Sequence, residues 1–410
     1  MRILFLTHRL PYAPNRGDRI RALHILKSLA AHAEVDLVSL VHDREEREHA
    51  CDLRDLTASV TVVPVSRGLG YGRAVLALGT GRPLTHALLD ARAVGVACRR
   101  LAAGRRPDVV LAYCSGMAKF ALQPPLNRLP LVLDMVDVDS VKWSELSKTA
   151  PIPSRWIYAT EARRLSGFEA RAARHARAVL VVNDRERDSL LHLEPAANVR
   201  VVPNGVALDE FSPPSPPSGE PRVTFCGVMS YRPNEEGALW LAQTVWPMIR
   251  ARRPDARLTL VGSEPSTALR HVAVADPTVE VTGAVSDVRP YLWRSAVAVA
   301  PLFVARGIQN KVLEAVAAGL PCVVTPAVLD GLPGNILPGC LAASDAGEFA
   351  AAVLSLLDRD AAERRAMAER ADVRSLSWDR QLASLLPILE AAAHCAGRVE
   401  TGASPGRIRA

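Results

Sequence analysis

Residues 300–324 read Ala300-Pro-Leu-Phe-Val-Ala-Arg-Gly-Ile-Gln-Asn-Lys-Val-Leu-Glu-Ala-Val-Ala-Ala-Gly-Leu-Pro-Cys-Val-Val324. The stretch predicts a strand at Ala296–Pro301, a loop, a helix over Gln309–Ala318 and another strand at Cys322–Thr325. Short, continuously apolar strands flanking a helix mark a parallel sheet covered on both faces. The loop carries Arg306, Gly307 and Lys311. A helix start offers free N–H groups and the positive end of its dipole, and Gly307 permits close backbone approach, so an anion is suited there. Arg306 and Lys311 add full charges appropriate to a diphosphate. Glu314 lies three residues beyond Lys311 and can share its helix face. Its carboxylate can accept two hydrogen bonds from a ribose diol, or else form a solvated ion pair with Lys311.

The same alternation extends in both directions. Ile3–Thr7 reads as a strand, followed by a loop through Gly17 and a helix over Asp18–Ala31, with Asp18 as its expected cap. Strands follow at Val35–Val41, Val60–Val65, Val109–Ala112, Leu131–Val136 and Ala178–Val182. After a proline-rich interval come strands at Val223–Gly227, Leu258–Gly262 and Val279–Thr282, with a helix over Pro233–Arg250 between the first two. The expectation is an α/β protein of two Rossmann-like, doubly wound domains facing a cleft. The expected boundaries are 1–205, a linker at 206–221, a second domain at 222–395 with the terminal helices, and a disordered tail at 396–410.

Composition narrows the classes. The 410 residues are 49% hydrophobic and 23% charged, a globular profile. No apolar run reaches the ~18 residues of a membrane span, and the start lacks a signal-peptide core. A cytoplasmic protein is therefore expected. Seven cysteines, an odd number without C-x-x-C spacing, are expected to be buried reduced thiols. The formal charge is +7, but 45 of the 50 basic residues are Arg and aromatics are only 5%. Such a skew is expected of a GC-rich genome as much as of a binding patch, and nucleic acid is not an expected partner.

In the first half, Gly17, Asp18 and Arg19 follow the first strand, where a loop and helix start can rest against a sugar or phosphate. The alternative is an ordinary strand–helix turn. Arg19 and Arg21 are candidates for an acceptor phosphate or for plain surface arginines, and His8 is expected to be packing. Asp134, Asp137 and Asp139 end a buried strand. They suggest acid/base work more than metal binding, since no fourth oxygen ligand is evident. Arg155–Arg187 holds eight arginines and four acids. It is expected to rest on an anionic membrane surface or to be a solvated, ion-paired helix.

The 300–324 segment resembles the nucleotide-sugar site of retaining family-4-type glycosyltransferases of the GT-B fold. Pro203-Asn-Gly-Val206, Leu260-Val-Gly262 and Gly283-Ala-Val-Ser-Asp287 resemble other segments of that family. Leu10–Arg21, Asp134–Trp143 and Phe225–Asn234 are similar to one subgroup, the sugar transferases of bacterial exosortase/PEP-CTERM exopolysaccharide systems. The resemblance implies transfer from a nucleoside diphosphate sugar, without a further cofactor or metal, to a lipid-linked glycan at the inner membrane face, with retention. It implies diphosphate contacts from Arg306, Gly307, Lys311 and Arg232, sugar contacts from Ile308 and Gln309, and a ribose contact from Glu314. Gly283, Ala284 and Val285 would meet the base. Asp137 would touch the acceptor hydroxyl or reacting sugar, the alternative being a helix cap. Two departures stand out: Arg306 occupies a position where relatives carry a second Glu, and Val228–Arg232 replaces their usual Arg and Lys. A non-hydrolysing sugar-nucleotide epimerase, which needs no acceptor, and a silent nucleotide-sugar-binding scaffold, which releases no diphosphate, are the rival readings.

Overall fold

The computed structural model describes residues 1–12, 17–65, 72–73, 76–77, 79–213, 220–305 and 308–397. The chain divides into two compact units: Met1–Pro203 together with the chain from Leu382 onward, and Asn204–Gln381.

The first unit is built on strands β1 (Arg2–Thr7), β2 (Glu34–Val41), β3 (Ser59–Pro64), β4 (Val109–Tyr113), β5 (Leu131–Val136), β6 (Ala178–Val181) and β7 (Val199–Val201). They pair in parallel in the order β3-β2-β1-β4-β5-β6-β7. Every residue from Ile3 to Leu6 and from Val109 to Ala112 is fully buried, because helices cover both faces of these central strands. The second unit contains β8 (Arg222–Cys226), β9 (Arg257–Val261), β10 (Val279–Val281), β11 (Val297–Ala300), β12 (Cys322–Val324) and β13 (Cys340–Ala342). Its order, again all parallel, is β10-β9-β8-β11-β12-β13. The chain reverses its direction of winding between β1 and β4 in one sheet, and between β8 and β11 in the other. In open α/β sheets ligands collect outside the carboxyl ends of strands at such points.

Several local features depart from the sequence expectations. The first helix is Gly17–Ala30, so Asp18 is its second residue rather than its cap. The helix expected over Pro233–Arg250 is Arg232–Trp240, a wide π turn at Leu241–Val245, and Trp246–Arg252. Pro247 has no N–H to return to the Gln243 carbonyl, which opens that turn. The three-residue edge strands β7 and β13, only partly buried, were not expected from the sequence.

The expected linker begins as part of the second unit. Val206 bridges Ser377, and Leu208–Phe211 forms a short helix whose Phe211 carbonyl accepts from Trp293 Nε1 at 2.8 Å. Residues 214–219 of that linker, and 398–410 of the expected tail, lie outside the described residues. The terminal helix Leu385–Gly397 packs on β4 and β5 of the first unit rather than with the second, burying Leu385 and Leu389. Among the cysteines, Cys98 and Cys322 are buried as expected, but Cys51 is exposed on the short helix His49–Leu56. Among the described residues, no helix is long and apolar enough to cross a membrane.

Candidate functional site

The second unit gathers its chemistry where β8 and β11 meet. Lys311 is the second residue of the helix Asn310–Ala317, which follows β11. Its ammonium donates to Asn234 Oδ1 at 2.7 Å and stands 4.8 Å from the centre of the Phe225 ring on β8. Asn234 Nδ2 in turn donates to the Val228 carbonyl at 2.9 Å, fixing the loop that leaves β8. At the same helix start, Asn204 Nδ2 donates to Asn310 Oδ1 at 2.9 Å.

Lys311 and Glu314 are both half-buried. Burial draws the Lys311 ammonium down to about 8, against the opposing pull of Cys226 and Glu314. Burial pushes the Glu314 carboxyl up to about 7, with Lys311 restraining the rise. The neighbouring Cys226 thiol goes up to about 12, through burial and then the Glu314 charge, so it is inert as a nucleophile. Lys311 thus remains mostly cationic near neutrality, while Glu314 is poised between its two forms. A cation and a titrating carboxyl on one helix face can bind an anion and a polar diol together.

Glycines bring the surrounding backbone close. Gly262, at φ +150°, passes so near β8 that a Cβ would lie 1.7 Å from the Gly227 carbonyl oxygen. Gly227 N–H donates to the Val261 carbonyl at 2.9 Å, locking the two loops together. At Gly237 a Cβ would come within 2.4 Å of the Pro301 carbonyl, so the helix Arg232–Trp240 seats directly on the β11 loop.

The other expected donor contacts fall unevenly. Arg306 and Gly307 lie outside the described residues. Arg232 opens its helix, and its Nε donates to Glu236 at 2.6 Å, a partly exposed pair that an anion would have to break. Ile308 is buried, and Gln309 is the residue before the helix. Gly283 takes φ +72°, a conformation that favours glycine. Ala284 and Val285 line a surface depression with Tyr291 and Arg294. Asn204 and Asn234 carried no role in the sequence reading, although both sit in the segments on which the resemblance rests.

In the first unit the carboxyl ends of β4 and β5 are strained side by side. Cys114 has φ +70° and Val136 φ +65°, and Cys114 N–H donates to the Asp134 carbonyl at 2.7 Å. Left-handed backbone at non-glycine residues costs of order 1–3 kcal/mol and tends to occur at functional sites. The strand-end carboxylates separate into different roles. Asp134 is fully buried and accepts from Arg21 Nε at 2.9 Å; Arg21, 1% exposed, also donates to the Pro203 carbonyl at 3.2 Å. Burial raises the Asp134 carboxyl despite Arg21. Arg21 is therefore an internal brace, neither a surface arginine nor an acceptor contact. Arg19 is likewise committed: it pairs with buried Glu46 and stacks on Tyr12, so the acceptor role expected of it has no free guanidinium behind it. Gly17 and Asp18 form the first turn of their helix, their side chains lying outside the described atoms.

Asp137 and Asp139 follow β5. Asp139 accepts from Ser115 Oγ at 3.2 Å and pairs with Lys142. Burial would raise its carboxyl, but Lys142, Ser115 and His8 together hold it below the usual range. Behind it, buried Glu169 accepts from Ser140 N–H at 3.2 Å and is pushed up to about 7, first by burial and then by the Asp139 charge. His8 stacks on Tyr113 at 5.7 Å, consistent with packing. Asp137 is half-buried and lies two residues before the helix Asp139–Thr149. Glu169 escaped the sequence reading because it lies in an arginine-rich helix that resembles a solvated face. Among the described residues, no three His, Cys, Asp or Glu side chains are placed to hold a metal ion.

Two parallel doubly wound α/β sheets are the architecture of the GT-B fold. Residues 16–205 match the family model described as glycosyl transferase 4-like domain, and residues 220–359 match that of glycosyl transferases group 1. These spans cover about four-fifths of the chain, which belongs to the family-4-type GT-B glycosyltransferases. No curated protein matches the sequence. Solved structures do. Sucrose-phosphate synthase from Thermosynechococcus elongatus is 18% identical, with a TM-score of 0.69 over 98% of each chain. HepE from Anabaena, in complex with UDP and glucose, is 14% identical with a TM-score of 0.65, over 95% of this chain and all of that one. WaaG, a glycosyltransferase involved in lipopolysaccharide biosynthesis, is 15% identical with a TM-score of 0.62, over 98% and 100%. At these identities the likeness is one of fold.

Proposed function

We propose that the enzyme transfers a sugar, with retention, from a nucleoside diphosphate sugar to a hydroxyl of a lipid-linked glycan during exopolysaccharide assembly. The observation that carries this reading is the Lys311–Asn234 contact with Glu314 one helical turn along. Lys311 faces the departing diphosphate, held in place by Asn234, and the N–H groups at the start of its helix add to the attraction. Arg306, Gly307 and Arg232 complete the diphosphate contacts, with Arg232 exchanging Glu236 for phosphate. Glu314, once ionised, accepts from the ribose diol. Ile308 and Gln309 border the sugar, and Gly283, Ala284 and Val285 border the base. HepE, bound to UDP and glucose, supports a nucleotide-sugar donor and makes UDP-sugars the first to try.

In the first unit Asp137 meets the reacting sugar or acceptor hydroxyl, and Gly17 and Asp18, at the start of the first helix, border the acceptor. No separate cofactor enters this scheme. A peripheral position on the inner face of the cytoplasmic membrane is supported by the helix Ser154–His175. Exposed Ile152, Trp156 and Ile157 cluster at its start, beside Arg155. An apolar tip flanked by arginine suits an anionic lipid interface.

A panel of nucleotide sugars, assayed for nucleoside diphosphate release with and without bacterial membrane lipid, tests the reading. Acceptor-dependent release from one donor is the expected result. Donor turnover without acceptor would indicate an epimerase, and binding without release a scaffold.

A further inference from the structure

We propose that the first unit carries an anion site of its own, a cavity that takes a phosphate-bearing ligand. The cavity, of about 580 Å³, lies between the helices Leu84–Leu88, Ser115–Ala121 and Ser154–His175. Arg82, Lys119, Arg163, Arg164 and Arg171 line it, with Asp90 as the single carboxylate in the lining.

The walls are tied in place. Arg164 Nη1 donates to the carbonyls of Ala77 and Arg82, each at 3.0 Å, which holds the preceding turn. Glu161 accepts from the backbone N–H groups of Leu84 at 2.6 Å and Thr85 at 2.9 Å, docking the short helix onto the long one. Lys119, 7% exposed, donates to the His86 carbonyl at 2.5 Å and lies 3.7 Å from Asp90. The lining has charge to spare. Asp90 is shared between Lys119 and Arg82, at 3.7 and 3.4 Å. Arg163 and Arg171, two helical turns apart with Gly167 between them, have no carboxylate partner among the described residues. The sequence disguises this excess: Glu161, Glu169 and Glu186, three of the four acids in Arg155–Arg187, are buried and spent on backbone N–H groups. Multiple guanidinium forks around a partly enclosed space are the arrangement that recognises phosphate.

The ligand is either the headgroup of a phospholipid or a free phosphate ester, and the test separates them. Full-length protein is titrated with glycerol 3-phosphate, and separately sedimented with phosphatidylcholine vesicles containing phosphatidic acid. The variants are Arg163→Ala/Arg171→Ala, both positions exposed, and Asp90→Asn, which removes the one competing charge. The expected result is at least tenfold weaker glycerol 3-phosphate binding in the double variant and severalfold tighter binding in Asp90→Asn. A parallel loss on vesicles assigns the ligand to a lipid headgroup; vesicle binding that ignores the double variant assigns it to a soluble ester. If neither probe responds to the double variant, or if Asp90→Asn weakens binding, the proposal is overturned. Nucleoside diphosphate affinity, measured alongside, is expected to be unchanged, so failure here leaves the donor reading standing.

Discussion

The Lys311 ammonium donates to Asn234 Oδ1 at 2.7 Å, tying the helix after β11 to the helix after β8 across the switch point of the second sheet. Asn234 is 6% exposed and spends its amide on the Val228 carbonyl, so it holds the cation and the loop at once. Asn234→Ala is expected to weaken nucleoside diphosphate binding about tenfold, since a hydrogen bond to a charged group is worth about 1.5–3 kcal/mol. It should also lower stability by about 1–2 kcal/mol. Calorimetric titration and urea denaturation check the two effects; full affinity in the variant would remove Asn234 from the site.

The role proposed for Asp137 is in the chemistry and not in donor binding. The helix after β5 is Asp139–Thr149, and Asn serves about as well as Asp near a helix start, so Asp137→Asn is expected to leave the melting temperature within a degree or two. Turnover should fall by about two decades or more, the scale of a positioned acid/base or electrostatic group, with nucleotide affinity nearly intact. Diphosphate release with lipid acceptor is the measurement. Unchanged turnover would retire Asp137.

Glu169 makes stability depend on pH in a defined direction. Its folded pKa, about 7, lies above the ordinary 4.5, so the protonated carboxyl is the favoured buried form. Its contribution is fully present below pH 4.5 and is lost as pH rises through 7. Glu169→Gln retains an acceptor for Ser140 N–H without the charge. The variant should gain on the wild type as pH increases, by on the order of 3 kcal/mol at pH 8.5. Denaturant midpoints between pH 5 and 8.5 follow the difference; a constant gap contradicts it.

The exposed tip at Ile152, Trp156 and Ile157 predicts an interfacial contact. Trp156→Glu should reduce co-sedimentation with anionic vesicles about tenfold, by removing apolar burial of about 1.5–3 kcal/mol and adding a repelled charge. Wild-type binding should weaken with salt as the ~8 Å physiological Debye length shortens. Equal, weak sedimentation on neutral and anionic vesicles would return the helix to a solvated face.

What was legible in the sequence was what local pattern encodes. Continuous apolar runs such as Ile3–Leu6 and Val109–Ala112 announced parallel strands, and the fold class followed from their alternation with helices. Lys311 and Glu314 were legible because a helix start after a strand makes their spacing meaningful. Long-range pairing was not. Arg21 reads as one arginine among 45 until the fold sets it 2.9 Å from Asp134, 113 positions away. Glu161, Glu169 and Glu186 read as solvent-facing partners of nearby arginines, yet each is buried against backbone N–H groups contributed by distant segments. The terminal helix carries an ordinary apolar face, and nothing local says which sheet it will cover.

In the proposed donor site Lys311 and Glu314 hold the nucleoside diphosphate. The most direct test is calorimetric titration of wild type, Lys311→Ala and Glu314→Ala with UDP, GDP and ADP, beside a thermal melt of each. One nucleotide is expected to bind the wild type, and to bind each folded variant roughly ten to a hundred times more weakly, as loss of a charged hydrogen bond requires. Undiminished affinity in both variants, with unaltered melts, would contradict it.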